Sequence, residues 1–283
     1  MAGKLQVVGT PIGNLEDLTL RAKRTLTEAS VILAEDTRQT RVLLESCGIS
    51  LAGKQLLSCN AHNEKGRMNG VLEHLSAGVD VALVTDSGAP CISDPGGHMV
   101  EAVVEAGFDV EVIPGASAPI AALMGAGLIA TRFAFLGFLP LKGKERERLV
   151  TDAFQAGLAV VLFESAQRIE KTLADLFAWC GPQKVVVARE LTKKFETFHR
   201  GILGQELSPS LMLKGEMVVV VEATFVSKLA EPENLAELVS KELSSAPELL
   251  TLPAKEIAFI IAQKFRCSRT AVYALVVKAK NNL

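Results

Sequence analysis

Three loops hold most of the residues whose types and spacing could do chemistry, and each follows a short apolar run. The first is Gly9-Thr-Pro-Ile-Gly13-Asn14, after residues 5–8. It lacks the Lys-Ser/Thr pair of a P-loop, so it does not read as a triphosphate cradle. The second, Thr85-Asp86-Ser87-Gly88-Ala89-Pro90-Cys91-Ile92-Ser93-Asp94-Pro95-Gly96, packs two carboxylates and three hydroxyls among glycines and prolines. Such a loop exposes backbone N–H and C=O groups around rigid turns. The third is Ile113-Pro114-Gly115-Ala116-Ser117-Ala118. Loops at strand ends carry ligand chemistry more often than packing, and three of them in one open sheet can line one crevice. Ala34-Glu35-Asp36-Thr37-Arg38 adds two acids and a guanidinium at another strand end. Its structural alternative is a helix start capped by Asp36 or Thr37.

Two further patterns read as false leads. His62-Asn63-Glu64 followed by Pro90-Cys91-Ile92-Ser93-Asp94 approximates a zinc deaminase signature, but Asp94 stands where the second cysteine belongs. Glu64 also suits an ordinary helix start. Gly125-Ala-Gly127-Leu-Ile-Ala130 spells a dinucleotide fingerprint but ends a helical run, so it reads as helix termination.

The elements that must position these loops alternate along the chain. Candidate strands cover residues 5–8, 31–34, 56–58, 79–84 and 110–113, then 133–136, 159–163, 184–188 and 217–222. Several are nearly continuous apolar runs, as in strands covered on both faces. Between them Met68, Val71, Leu72 and Leu75, and Ile169, Leu173, Leu176 and Phe177, recur at helical spacing. Gly78, Gly107 and Gly181 suit helix ends. The expectation is two consecutive α/β domains, 1–113 and 114–229, with a ligand cleft between them. With 283 residues, 49% of them hydrophobic and 22% charged, the chain suits about two globular domains and a smaller piece. Five cysteines without a CxxC pair argue against a disulfide framework or a thiolate zinc knuckle and favour a reducing cytoplasm. Residues 112–131 carry no charge, but their prolines and glycines suit a strand end, turn and buried helix better than a membrane span.

The third piece, residues 235–283, carries only helical patterns after a linker at 230–234. Pro253 suits a first helical position, and Ser268 can cap the last helix. From Thr251 onward Lys255, Lys264, Arg266, Arg269, Lys278 and Lys280 face one acid, Glu256. The segment is therefore +5 in a chain of net charge −2. It reads either as a solvated helix face or as a nucleic-acid contact.

Taken together and in order, the motifs resemble the tetrapyrrole methylase superfamily, and within it the branch that methylates small-subunit ribosomal RNA at a cytidine 2′-oxygen. The carriers are residues 9–18, Ala34-Glu-Asp-Thr-Arg38, His62-Asn-Glu64, Asp94-Pro-Gly96, Gly137-Phe-Leu-Pro140, Arg189-Glu-Leu-Thr-Lys193 and Lys214-Gly-Glu-Met217. The chain departs from the family pattern at Ala166-Gln167, at Ala116 and at Leu136, where a glutamate is usual. The resemblance implies S-adenosyl-L-methionine without a metal, held by Pro11, Asp86, Ser87, Gly88, Ala89, Pro90, Ile92, Ile113, Pro114, Gly115, Ser117, Ala118, Phe163, Glu164, Ser165, Ala188 and Met217. It also implies a homodimer acting on ribosomal RNA, in an assembled 30S-type particle, with no membrane partner. For the proton of the ribose hydroxyl, Asp36, Glu64 and His62 are candidate acceptors. Asp36 is preferred, with Arg38 holding a phosphate or the carboxylate; Glu35 and Glu190 are also available. Two other expectations are a methylase acting on a tetrapyrrole and a non-catalytic RNA-binding protein on the same fold.

Overall fold

The computed structural model describes residues 2–207, 209–223, 234–265 and 269–281. Its first unit alternates strand and helix: β1 (Leu5–Val8), α1 (Leu20–Glu28), β2 (Val31–Ala34), α2 (Thr37–Ser46) and β3 (Gln55–Ser58). It continues with α3 (Glu64–Ser76), β4 (Val81–Val84), α4 (Gly97–Glu105) and β5 (Val110–Ile113). All five strands are parallel, in the order β3-β2-β4-β1-β5. Alternate residues of one strand serve opposite faces. Ile32 and Ala34 meet Ala22, Leu26 and Leu44 of α1 and α2, whereas Val31 and Leu33 meet Val71, Leu75, Met99 and Val103 of α3 and α4. Covering both faces explains the uninterrupted apolar runs of β2 and β4, all of whose residues are buried.

The second unit contains α5 (Ala118–Ala126), β6 (Phe133–Phe138), α6 (Lys144–Gln155), β7 (Ala159–Ser165) and α7 (Ile169–Cys180). It closes with β8 (Lys184–Arg189), β9 (Thr197–Ile202) and β10 (Glu216–Val221). The sheet order is β6-β7-β10-β8-β9. Only β6 and β7 pair in parallel; the other three pairings are antiparallel. Strand β9 is absent from the sequence reading. It is an edge strand whose residues, Thr-Phe-His-Arg-Gly-Ile, include a charge and lack a continuous apolar run. α6 and α7 cover one face of this sheet and α5 covers the other.

Ile12, from the loop after β1, packs in the same core cluster as Ala122, Leu191, Val218 and Val220. The first unit therefore inserts a side chain into the core of the second. Residues 112–131 fold as expected into the end of β5, a turn and α5, which Gly127 ends in the left-handed conformation. Among the described residues no helix is long and apolar enough to cross a membrane.

Three helices follow: α8 (Leu235–Ser245), α9 (Ala254–Phe265) and α10 (Arg269–Asn281). Pro253 directly precedes α9. Leu235, Val239, Leu243, Ile257, Ile261, Val272 and Val276 form a core of their own. The amphipathic spacing requires such a partner, because helices this short are marginal alone. Arg266, Ser268 and linker residues 230–233 lie outside the described residues.

Candidate active site

The order β4-β1-β5 makes the three glycine- and proline-rich loops neighbours at the carboxyl ends of adjacent strands. The loops are tied to one another. Thr10 N–H donates to the carbonyl of Gly88 (2.8 Å), and the Thr10 hydroxyl lies 3.2 Å from the carbonyl of Thr85. Gly9 and Gly115 pack backbone on backbone: a Cβ on Gly115 would stand 2.7 Å from the carbonyl carbon of Gly9. No side chain fits there, which is the physical reason for glycine at both positions. Gly88 sits at φ +85°, and a Cβ on it would meet Ile12 at 3.1 Å.

Between these loops and the second sheet lies a cavity of about 390 Å³. One wall is Ile12, residues 87–89 and 92–94; another is residues 117–119 at the start of α5. The remaining walls are Phe138, residues 163–167, Ala188, Leu191 and residues 215–218. The volume falls in the range of pockets that enclose small ligands, and its apolar walls with a few polar groups are the usual composition of such pockets. Phe163 makes an edge-on contact with Phe135 (centroids 4.9 Å) and a tilted one with Phe138 (5.4 Å). Phe138 remains 58% exposed at the cavity although it is aromatic, so its ring is available to a ligand.

Eleven of the residues expected to hold the donor line this cavity: Ser87, Gly88, Ala89, Ile92, Ser117, Ala118, Phe163, Glu164, Ser165, Ala188 and Met217. Six do not. Pro11, Asp86, Pro90, Ile113, Pro114 and Gly115 shape the loops instead: Ile113 is a core residue of the first sheet, and Gly115 packs on Gly9. Glu164 lines the space, but its carboxylate is turned into a buried network. It accepts from the Thr172 hydroxyl (2.6 Å) and pairs with Arg168 (3.1 Å), while Arg146 donates to Thr172 (2.7 Å) and pairs with Asp175. Ile12, Ser93, Asp94, Pro119, Phe138, Gln167, Leu191 and Glu216 line the cavity without having been assigned to it from sequence. Ile12, Gln167 and Leu191 stand outside the strands and Phe138 follows a register shift in β6, so strand alternation points to none of them.

A carboxylate cluster stands at the ends of β2 and β4. Glu35 accepts from the Thr85 hydroxyl (2.7 Å), and Asp86 accepts from the N–H of Asp36 (3.1 Å). Asp36 caps α2, accepting from the N–H of Arg38 (2.8 Å). The Arg38 guanidinium also grips it in bidentate fashion, at 2.6 and 3.0 Å. Those bonds hold the Asp36 carboxyl down at about 2. Asp94 is half-buried at the cavity wall, and burial, then the charge of Glu35, pushes its carboxyl up to about 6.

The His62-Asn63-Glu64 motif does not build a metal site. Glu64 is buried, and one of its carboxylate oxygens accepts from the N–H groups of Gly96 (3.1 Å) and Met99 (2.8 Å), capping α4 from another helix. His62 is exposed and its backbone N–H donates to Asn60. Neither residue lines the cavity. Among the described residues no three His, Cys, Asp or Glu side chains converge as a ligand set.

Comparison with known proteins agrees with this architecture. Residues 4–205 match the model of the Tetrapyrrole (Corrin/Porphyrin) Methylases. The chain is 44% identical to the ribosomal RNA small subunit methyltransferase I of Thermotoga maritima, over 77% of this chain and 98% of that one. It is 40% identical to the protein of the same name from Neisseria meningitidis serogroup B, over 99% and 95%. Among solved structures, the methyltransferase CobJ superposes with a TM-score of 0.60 at 21% identity, covering 78% of this chain and 94% of that one. A uroporphyrin-III C-methyltransferase from Thermus thermophilus, complexed with S-adenosylhomocysteine, gives 0.56 at 22%, covering 78% and 97%. The two-sheet fold and these sequence relationships place the chain in the tetrapyrrole methylase family.

Proposed function

We propose that this chain transfers a methyl group from S-adenosylmethionine to the 2′-oxygen of a cytidine ribose in small-subunit ribosomal RNA. The observation that carries the reading is the cavity itself, walled by glycine-rich loops on one side and by β7, β8 and β10 on the other. It occurs in a chain that is 40% identical over nearly its whole length to a protein named for methylating small-subunit RNA. The residues present suit the donor. Gly88, Ala89, Ala118, Ala188 and Gly215 let backbone approach the space, and Phe163, Leu191 and Met217 offer apolar surface. The donor supplies a methyl group on a sulfonium that is already a good leaving group. What remains for the protein is alignment, exclusion of water and acceptance of one proton.

The bidentate pair of Asp36 and Arg38 suits substrate positioning. A carboxylate held at about 2 is a weak proton acceptor near neutral pH, whereas the side chain of Arg38 is 88% exposed and free to meet a phosphate as well. Exposed Phe138 offers a surface on which a base can stack. We extend the proposal to a homodimer acting on an assembled particle, with residues 235–283 as an RNA-docking module. The basic excess of that module supports docking. Its cations are not all available, however: Lys264 pairs with Glu242, and Lys280 donates to the carbonyl of Leu252. Calorimetry with S-adenosylmethionine, followed by transfer of labelled methyl to small subunits and to a uroporphyrinogen, tests the reading. Donor binding with label in RNA supports it; label in the tetrapyrrole alone overturns it.

A further inference from the structure

The cavity wall at residues 215–217 is held from outside its own strand. Residues 190–196, the loop between β8 and β9, lie against it. A Cβ on Gly215 would stand 2.6 Å from the carboxyl carbon of Glu190, and Gly215 itself sits at φ +86°. Both facts require glycine there. One Glu190 oxygen accepts from the N–H of Glu216 (3.0 Å) and from the Lys193 ammonium (3.2 Å). The same ammonium donates to the Glu216 carboxylate at 2.7 Å. Buried Arg189 joins the two segments a second time, donating to the carbonyls of Lys214 (2.6 Å) and Phe195 (3.2 Å).

Lys193 also faces the other unit. A Cβ on Gly13 would stand 2.5 Å from its Cγ, 2.9 Å from the Thr192 hydroxyl oxygen and 3.1 Å from the carbonyl oxygen of Leu191. The loop after β1 is therefore seated on residues 191–193, directly beside Ile12 in the cavity wall. The seat is strained. Glu190 and Thr192 have φ of +51° and +63°, and the buried Thr192 hydroxyl has no hydrogen-bond partner among the described residues. Residues with side chains hold such conformations where their surroundings over-determine them, and such places cluster at ligand clamps. Glu164, another paired acid on the wall, is bound by Arg168 and Thr172 of its own unit, whereas the cation paired with Glu216 touches both units. We propose that Lys193 is a positioning residue for the methyl donor: its two ion pairs fix the spacing between the loop after β1 and the wall at residues 215–217, and so keep the cavity in the shape that admits the donor.

This proposal rests on the methyl-transfer reading above. A ligand enclosed by two walls binds the fraction of chains in which both walls are in place, so its apparent affinity falls with that fraction. The N–H of Glu216, followed by the Lys193 ammonium, holds the Glu190 carboxyl below its ordinary value against burial. Replacing Lys193 by methionine keeps the stem on Gly13 and removes the charge. It leaves the carboxylates of Glu190 and Glu216 sharing a site with no cation between them, and their repulsion favours a looser wall. Partly exposed ion pairs are weak one at a time, but two acting on one spacing correspond to about a five- to tenfold change in donor affinity.

The test compares the full-length wild type with Lys193→Met, Lys193→Arg, Glu216→Gln and the double variant Lys193→Met with Glu216→Gln. Calorimetry with S-adenosylmethionine gives the donor Kd, and thermal unfolding gives stability. Single-turnover transfer to small subunits from a strain lacking the modification gives the rate at saturating donor. Lys193→Met should raise the donor Kd about five- to tenfold, and the loss should fall on donor KM rather than on the rate at saturating donor. Lys193→Arg should recover most of the affinity. Glu216→Gln should raise the Kd about two- to threefold. The double variant should bind no more weakly than Lys193→Met alone, because removing the second charge relieves the repulsion. An unchanged Kd in Lys193→Met with a lower unfolding temperature marks a purely structural contact and overturns the proposal, leaving the functional reading in place. Additive losses in the double variant, or a loss of rate at saturating donor larger than the loss of affinity, overturn it likewise. If Lys193→Met does not fold, an unchanged Kd in Glu216→Gln overturns it. A wild-type chain that binds no donor overturns the functional reading, and the role of Lys193 with it.

Discussion

Replacing Glu64 by alanine should cost more stability than any exposed charge in the molecule. α4 begins at Gly97 and has no side-chain cap of its own; Gly96 at its N-cap carries no side chain. Glu64 supplies the missing acceptor across 32 residues of sequence, bonding Gly96 N–H at 3.1 Å and Met99 N–H at 2.8 Å. Both receiving residues are buried, so water cannot readily replace the carboxylate. A buried donor left unsatisfied costs about 1–3 kcal/mol, and losing an anion at a helix N-terminus adds about 0.3–1 kcal/mol. The two N–H groups and the charge together give about 2–7 kcal/mol for Glu64→Ala. Glu64→Gln keeps an acceptor oxygen and should lose only about 1 kcal/mol, since a neutral acceptor is weaker than a charged one. Urea unfolding followed by circular dichroism measures both. The loop at residues 85–96 runs into this helix, so the alanine variant should also bind S-adenosylmethionine several-fold more weakly. Loss of less than about 1 kcal/mol in Glu64→Ala, or equal losses in the two variants, would refute the capping role.

Gly115→Ala should lose about 1–3 kcal/mol and weaken donor binding, because its Cβ would stand 2.7 Å from Gly9; thermal unfolding and calorimetry measure the two effects. Asp94→Asn should change stability with a particular sign. The native carboxyl holds its proton up to about 6, against an ordinary value of 3.8, so the native state binds more protons than the unfolded chain between those values and wild-type stability falls as pH rises through the window. The asparagine variant should therefore gain about 1–2 kcal/mol over wild type above pH 6, after discounting for solvent screening of a half-exposed group, and nothing below pH 3.5. Asp36→Asn frees Arg38 and should raise the KM for small subunits while leaving donor affinity within twofold; a collapse of donor affinity would contradict a substrate-side role. Removing residues 235–283 should preserve donor binding, since those helices close a core of their own, and should weaken binding of small subunits in a salt-dependent manner; unchanged affinity would exclude docking by that module.

The sequence makes the first sheet readable because burial on both faces forces uninterrupted apolar runs, as in Val31-Ile-Leu-Ala34. Strand β9 escapes that logic: it lies at the sheet edge, and His199 and Arg200 interrupt its apolar pattern. The antiparallel pairing of β10 is equally hidden, since Met217–Val221 reads like a parallel core strand and its direction is set by partners distant in sequence. In the site, the glycine and small-residue positions were legible because a tight backbone approach leaves a compositional trace, as at Gly88 and Ala89. Charge roles were not. Asp36 and Glu64 both stand where a reactive carboxylate could, yet one is gripped by the arginine two residues on and the other caps a helix 32 residues away. Asp94, in the same loop as Asp86, becomes distinct only when the fold half-buries it at the cavity wall beside Glu35.

The central claim is most directly tested by nucleoside analysis of small-subunit RNA after reaction with the purified chain and isotopically labelled S-adenosylmethionine. Small subunits from a strain lacking the modification are the substrate, and digestion to nucleosides with mass spectrometry locates the label. The account predicts about one labelled methyl group per particle, recovered as 2′-O-methylcytidine. Label on a base, or a chain that binds the donor yet leaves the RNA unlabelled, would contradict it.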